Sequence, residues 1–386
     1  MSALCRKAVH ESVSRQLFAR RFHRGGKGHD ARRLRTRRRN HFEIQSAGAD
    51  VRTDLSRPFL HESVHPARVR QRAPGARFHA KTVGGAGPAG LAAAAVLARK
   101  GYSVTVFESS DSVGGAAKLI PEARLPRAVI EKDWAFVKTL GDITLKPNRR
   151  VANPVDLLKD GYDGVIVAVG EPHSATMGIP GEDLAVSFMD YLKDPEKYKT
   201  EGNVAVLGGG AVATDCAVTA KDSGAQNVEM FVRRRVCDMR LTDGERAWLL
   251  EKTIDITSMT RVEKIEKTGD TYTLYTCKTR FNGTKLEDIP DTTIKRPDFA
   301  RVVMAVGSKA DPKKEAERVV YAGDCNHGGS TIVEAVASGK NAANELHAAI
   351  TGEVDETACP VSRLVTYKAK SCAVVEGVDR QDNESD

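Results

Sequence analysis

Gly85, Gly87 and Gly90 stand at the spacing G-x-G-x-x-G, and Gly208, Gly210 and Ala213 repeat it with alanine in the last place. Such a turn is a phosphate cradle. The first glycine bends the chain sharply, the second lets the backbone approach a pyrophosphate, and the third small residue lets helix and strand pack closely. Pro88 and Ala89 fall where the helix after the first turn begins, and unpaired N–H groups and the helix dipole favour negative charge there. The chemistry offered twice is the binding of a dinucleotide.

The strands after the two cradles end differently. Residues 103–108 read as a strand ending in Glu108, where a carboxylate accepts hydrogen bonds from both hydroxyls of an adenosine ribose. The strand after the second cradle, 227–232, ends in Arg233, Arg234 and Arg235. A carboxylate repels a 2′-phosphate, whereas Arg233 and Arg234 attract and bracket one. The first cradle therefore suits FAD and the second NADPH. A third motif, Gly323-Asp324 followed by Ser330-Thr331, supplies a carboxylate for a ribityl hydroxyl. It also supplies a helix start near Thr331 whose N–H groups would face the flavin pyrimidine edge.

The elements needed to hold these residues are legible. A strand at 81–83, a helix at 91–100 closed by Gly101 and the strand 103–108 make one βαβ unit. The pattern returns as strand 203–207, helix 211–223, Gly224 and strand 227–232. Between them lie an amphipathic helix at 128–140, a buried strand at 164–169 and a Lys-rich stretch, 193–202, that reads as a hinge. An alternating antiparallel strand at 271–279, buried strands at 301–306 and 319–321 and a helix at 331–350 complete the chain. The fold class expected is α/β, with two Rossmann-like dinucleotide-binding domains and the NADPH domain inserted in the FAD domain. The boundaries expected are 81–200 and 300–352 for FAD, 201–299 for NADPH and 353–386 for a C-terminal tail. The weak point is the strand ahead of Gly85: Lys81 and Gly84 occupy places that ought to be buried and apolar, which puts FAD affinity in doubt.

The charge is uneven. Residues 1–80 hold 19 Lys+Arg against 6 Asp+Glu, so the other 306 residues carry 40 against 45. This leader has no sustained period and is not expected to fold, since it lacks apolar surface to bury. Three readings stand: a nucleic-acid-binding arm, an organelle transit peptide, or a disordered leader that includes upstream sequence read in the wrong frame. Aromatic interleaving is thin, so no nucleic-acid partner is expected. The compartment expected is the cytoplasm, or the mitochondrion if the leader is a transit peptide. No run approaches the roughly 20 apolar residues of a membrane span. Seven cysteines, at 5, 216, 237, 277, 325, 359 and 372, never form C-x-x-C, which argues against a disulfide framework, an iron–sulfur site and a redox dithiol.

Residues 82–352 resemble the FAD- and NADPH-binding part of the small subunit of NADPH-dependent glutamate synthase, shared with dihydropyrimidine dehydrogenase. These are relatives of the pyridine nucleotide-disulfide oxidoreductases that lack the dithiol. The resemblance is carried by Gly114-Gly115 with the segment 120–126, by Ala168-Val169-Gly170 and Ala305-Val306-Gly307, by 208–215 with Val232-Arg233-Arg234 beyond it, and by 323–335. It implies that Gly115, Arg124 and Gly170 lie along the flavin. Two departures stand out. The family's N-terminal domain carries cysteines for two iron–sulfur clusters, whereas residues 1–80 hold only Cys5, and Ala211-Val212 replaces a polar pair near the nicotinamide. Glutamate synthesis is therefore not supported by this chain.

The reaction expected is hydride transfer from NADPH to FAD, with electrons passing to a partner subunit, a quinone-like acceptor or oxygen. The protein supplies orientation and electrostatics, so no catalytic acid–base residue is expected. Cys216 reads as core packing. Cys325 and His327 form a lone C-x-H without further ligands, so no metal is expected. Two other readings are carried: an amine-oxidase-like flavoprotein that oxidises a substrate, against which the second cradle's arginines argue, and a redox-inert nucleotide-binding or regulatory subunit.

Overall fold

The first sheet is centred on a strand whose sequence argues against it. In the computed structural model, which describes residues Ala80–Glu353, β1 (Ala80–Gly84) leads through the Gly85 turn into α1 (Pro88–Arg99) and β2 (Ser103–Phe107). The basic leader and the tail lie outside the described residues. α2 (Arg127–Lys138), β3 (Ile143–Lys146), α3 (Pro154–Lys159) and β4 (Gly164–Val167) come next. β1 pairs in parallel with β2 on one side and β4 on the other. The doubt over this strand is corrected by its surroundings. Lys81 is fully buried, but its ammonium lies 3.6 Å from Asp163 Oδ2 and 4.9 Å from the centre of the Tyr102 ring. Burial lowers the Lys81 pKa while Asp163 opposes that shift. An ion pair and an aromatic face thus compensate a charge in a place where patterning alone asks for an apolar residue.

From β4 the chain passes through β5 (His173–Ser174) into β6 (Val186–Ser187), α4 (Phe188–Lys193), β7 (Asn203–Leu207), α5 (Ala211–Asp222) and β8 (Val228–Val232). α6 (Asp243–Glu251) and β9 (Asp255–Ser258) complete the parallel part. An antiparallel flap of β10 (Thr260–Thr268), β11 (Thr271–Phe281) and β12 (Leu286–Asp288) joins β13 (Ile294–Met304). The chain then returns through β14 (Ser308–Lys309) to β15 (Val319–Tyr321), α7 (Asp324–His327) and α8 (Ile332–Thr351).

The two sheets repeat one winding. The first runs β15-β4-β1-β2-β3; in the second, β7 lies between β8 and β13, β9 flanks β8, and β6 pairs with the C-terminal end of β13, all in parallel. In such doubly wound sheets ligands bind at the carboxyl ends of the strands, where the order reverses. That point falls between β1 and β4 in one sheet and between β7 and β13 in the other.

Two expectations about connections change. The stretch 193–202 is not the passage between the sheets: Phe188, Tyr191 and Leu192 of α4 are buried in the core around β7 and α5, so 194–202 joins elements of the same sheet. The passages are 168–185 and 305–318, which pair with each other through β5 and β14. The boundary at 300 likewise divides a strand, because all of β13 belongs to the second sheet, where Arg301–Met304 pairs in parallel with Val204–Leu207. Ladder pairing decides this, and hydropathy does not report it.

α1 is alanine-rich and buried on nearly all sides, as expected of a helix held between two layers. α8 crosses it closely: a Cβ on Gly339 would overlap the Ala89 carbonyl oxygen. No described helix is long and apolar enough to cross a membrane.

Candidate functional site

Both glycine turns open into one cleft of about 2230 Å³. Pockets for drug-sized ligands occupy about 300–1,000 Å³, so the cleft has room for two dinucleotides. The turns are built alike. Gly85 N–H donates to the Phe107 carbonyl at 2.7 Å and Gly208 N–H to the Phe231 carbonyl at 3.1 Å. A Cβ on Gly85 would overlap the Ala168 carbonyl oxygen, and one on Gly208 the Ala305 carbonyl oxygen. Gly90 sits behind its turn, where a Cβ would overlap the Gly85 carbonyl; the buried Ala213 takes that place in the second unit.

The middle glycines are different. Gly87 (φ −78°) and Gly210 (φ −106°) adopt conformations open to any residue. A Cβ on Gly87 would reach only ordinary contact with Gly115 at 3.8 Å, and one on Gly210 would meet no atom within 4 Å. The fold needs no glycine at either position, whereas a phosphate lying against the backbone does. Both residues are N-caps of helices that lack a side-chain cap and an acidic first turn, which leaves N–H groups for an anion. By contrast α6 and α8 are closed by capping boxes of Thr242 with Glu245 and Thr331 with Glu334. On these observations the residues present fit a dinucleotide at each turn.

Around the first turn, Glu108 is buried, with Oε2 accepting from Ala86 N–H at 2.7 Å and Oε1 from Ser110 N–H at 2.8 Å. The carboxylate thus braces the glycine turn and keeps a lone pair on Oε2 for a ribose hydroxyl. Gly115 approaches Gly87 so closely that a Cβ there would lie 2.9 Å from the Gly87 Cα. Gly170 and Gly323, both at positive φ, line the cleft. Asp324 accepts from Ser330 Oγ at 2.6 Å and Ser330 N–H at 3.1 Å, and burial raises its carboxyl pKa. Thr331 is engaged as the cap of α8, so the helix offers the N–H groups of Ile332 and Val333 rather than the Thr331 hydroxyl.

Around the second turn the arginine run divides. Arg235 is paired with Asp238 through two contacts of 2.7 and 3.0 Å. Arg233 and Arg234 have only their carbonyls bound, to Thr279 Oγ1 and Met259 N–H, and their side chains have no ion pair among the described residues. Arg124 does not lie free beside the first cradle. It crosses to the second unit, where it pairs with Asp215 on α5 and, at 3.1 Å, with Glu245 on α6, beside the Trp248 ring. Burial pushes the Asp215 carboxyl up to about 6 against the pull of Arg124.

All the residues expected to hold FAD or NADPH line this cleft except Gly90, which packs behind the turn. Arg149 and Arg150 line it as well. Neither belongs to a motif, and only folding brings Arg149 N–H to 2.7 Å from the Glu108 carbonyl. Cys216 is buried in the core, and Cys325 is also buried, its thiol donating to the Val167 and Ala322 carbonyls; burial raises both thiol pKa values. Neither is a thiolate at neutral pH, and the four described cysteines are free.

Two mononucleotide-binding windings facing one cleft define a two-dinucleotide flavoprotein oxidoreductase. The chain belongs to the pyridine nucleotide-disulphide oxidoreductase family, whose sequence model matches residues 82–333; FAD and NAD(P)H are the cofactors of that class. The NADP(+)-dependent formate dehydrogenase subunit beta of Moorella thermoacetica is 42% identical over 166 residues, which cover 40% of this chain and 23% of that protein. The NAD-dependent dihydropyrimidine dehydrogenase subunit PreT of Escherichia coli (strain K12) is 28% identical over 336 residues, 79% of this chain and 77% of that protein. Mycobacterium tuberculosis FprA, solved in complex with NADPH, shares the fold with a TM-score of 0.61 at 16% identity, over 75% of this chain and 89% of that one. The match thus spans less than a quarter of the formate dehydrogenase subunit but about three quarters or more of the other two.

Proposed function

We propose that this chain is the NADPH-oxidising flavin subunit of an electron-transfer assembly, with FAD in the first cradle and NADPH in the second. The first sheet is then the FAD domain, formed from two segments, and the second sheet is the NADPH domain inserted between them. The observation that carries the reading is the contrast between two like-built turns on one cleft, one ending at Glu108 and the other at Arg233 and Arg234, which have no ion pair among the described residues. FAD, when bound, takes the hydride of NADPH and passes on two electrons. The chain's own residues bind and orient: Gly87 and Gly210 admit the pyrophosphates, Glu108 holds a ribose, and Arg233 and Arg234 hold the 2′-phosphate. Arg124, paired across the cleft, fixes one cradle relative to the other.

The acceptor proposed is a partner subunit, since relatives are named as subunits; a quinone-like molecule and oxygen are the alternatives. The compartment proposed is the cytoplasm. Import of a tagged full chain into mitochondria with loss of the leader would overturn that.

Coenzyme choice tests the core of the reading. Two charge-assisted contacts contribute roughly 1.5–3 kcal/mol each, and tenfold in affinity corresponds to about 1.4 kcal/mol. Replacing both arginines (Arg233→Ser with Arg234→Ser) is expected to weaken NADPH by well over tenfold and leave NADH nearly unchanged, read as reduction of bound flavin by each coenzyme. Equal losses for the two coenzymes would overturn the NADPH assignment, and a wild-type chain that takes up no flavin would support the redox-inert reading.

A further inference from the structure

Glu171 belongs to none of the sequence motifs yet lines the cleft, and we infer that it sets the potential of the bound flavin, its negative charge opposing the charge that reduction brings. This rests on the proposed FAD site. Glu171 follows Gly170 where the chain leaves β4, in the first passage between the sheets. Its Oε2 accepts from Ser308 Oγ, in the second passage, at 2.6 Å. The same carboxylate lies against the loop that joins α7 to α8: a Cβ on Gly329 would stand 3.1 Å from Oε2, and one on Gly328 3.9 Å from Oε1. That loop carries Ser330, which donates to Asp324 through both N–H and Oγ, and Thr331, which caps α8. Ser308, Asp324 and Ser330 line the cleft with Glu171.

The carboxylate keeps its charge uncompensated. Glu171 is half-buried and has no ion pair among the described residues; the Ser308 hydroxyl steadies the carboxylate without neutralising it. Its field already reaches the neighbouring acid: burial raises the Asp324 carboxyl pKa, and the charge of Glu171 adds to that rise. Hydride transfer oxidises NADPH to NADP+ and brings the flavin two electrons and one proton, hence a single negative charge. The N-terminus of α8 favours that charge. Glu171 disfavours it, which keeps the reduced flavin a stronger donor to the acceptor that follows.

The test is a redox titration of the full flavin-loaded chain against a dye of known potential, at a pH above the titration of Asp324, so that only the charge at position 171 differs. Glu171→Gln keeps an oxygen to accept from Ser308 and loses the charge. Its midpoint potential is expected to rise, by about tenfold in the ratio of reduced to oxidised flavin, or about 30 mV for two electrons. Glu171→Asp should stay closer to wild type than Glu171→Gln. Ser308→Ala cuts the tie between the passages and keeps the charge, so it should not raise the potential. An unchanged potential in Glu171→Gln would overturn the inference, as would an equal rise in Ser308→Ala, which would assign the effect to the tie. Loss of flavin from Glu171→Gln would also overturn it, by making the residue part of the binding frame. Failure of wild type to take up flavin would instead overturn the FAD site itself, a result separable from the others because it needs no variant.

Discussion

The two βαβ units are near copies in backbone and opposites in charge. In each, a strand enters a glycine turn, the turn's first glycine lies against the carbonyl of a neighbouring strand end, and the middle glycine caps a helix with no side chain to seal it. After that they part. The first ends its second strand in a carboxylate bound by its own turn, and the second in two arginines that have no ion pair among the described residues. At equal spacing along the helices, Ala92 of α1 is buried in the core, where α5 carries Asp215 paired with Arg124. On the proposed function the tasks are separate: the backbone sets what class of ligand fits, and a few side chains at strand ends and on one helix choose between ligands and tie the units together.

The sharpest way to break the comparison is to fill the two open middle positions. Gly87→Val should abolish flavin retention while coenzyme binding persists, and Gly210→Val should do the reverse, each by about a hundredfold or more, about 2.7 kcal/mol. Because neither glycine is needed by the fold, both variants should stay folded. Flavin content and NADPH titration read the outcome; loss of both ligands in either variant would mean that the turns do not act separately.

A smaller effect is expected at Glu108. Glu108→Gln cannot accept from both Ala86 N–H and Ser110 N–H, since one of its oxygens becomes a donor. Flavin affinity should fall by an amount equivalent to about 1.5–2 kcal/mol, with the ratio of NADPH to NADH use unchanged. A shift in that ratio would show that the acid of the first unit reads the coenzyme.

The last effect is on stability rather than on binding and concerns Asp215. Burial holds its carboxyl at about 6 in the folded chain, above an unfolded value of about 3.9. The native state therefore binds this proton more tightly, so the group's stabilising contribution is complete below about pH 4 and is lost as pH rises through about 6. Asp215→Asn removes the titration. The stability of wild type relative to the variant should decline between pH 4 and 7 by at most about 3 kcal/mol, measured by denaturant melts at each pH. A flat difference would mean that Asp215 does not titrate in that range.

The two glycine turns and the acid-versus-arginine contrast at their strand ends were legible because glycine spacing and strand-end charge are local signals. The doubt raised by Lys81 in β1 has the converse cause. Lys81 is tolerated through Asp163 and Tyr102, residues distant in sequence whose arrival no local pattern announces. The boundary near 300 failed for the same cause: β13 is assigned to its sheet by ladder partners about a hundred residues earlier in the chain.

By itself the sequence determined that two glycine turns of dinucleotide spacing exist and which strand end is acidic and which basic, since those properties reside in residues within one short βαβ span. Only the tertiary structure decided that both open into one cleft, that Arg235 is paired with Asp238 while Arg233 and Arg234 have no ion pair among the described residues, and that Arg124 bridges the units. Each depends on which carboxylates and carbonyls arrive within about 3 Å of a given group. Hydrogen bonds and ion pairs are short-ranged, so their partners are chosen by packing between distant segments and not by the neighbours a residue has along the chain.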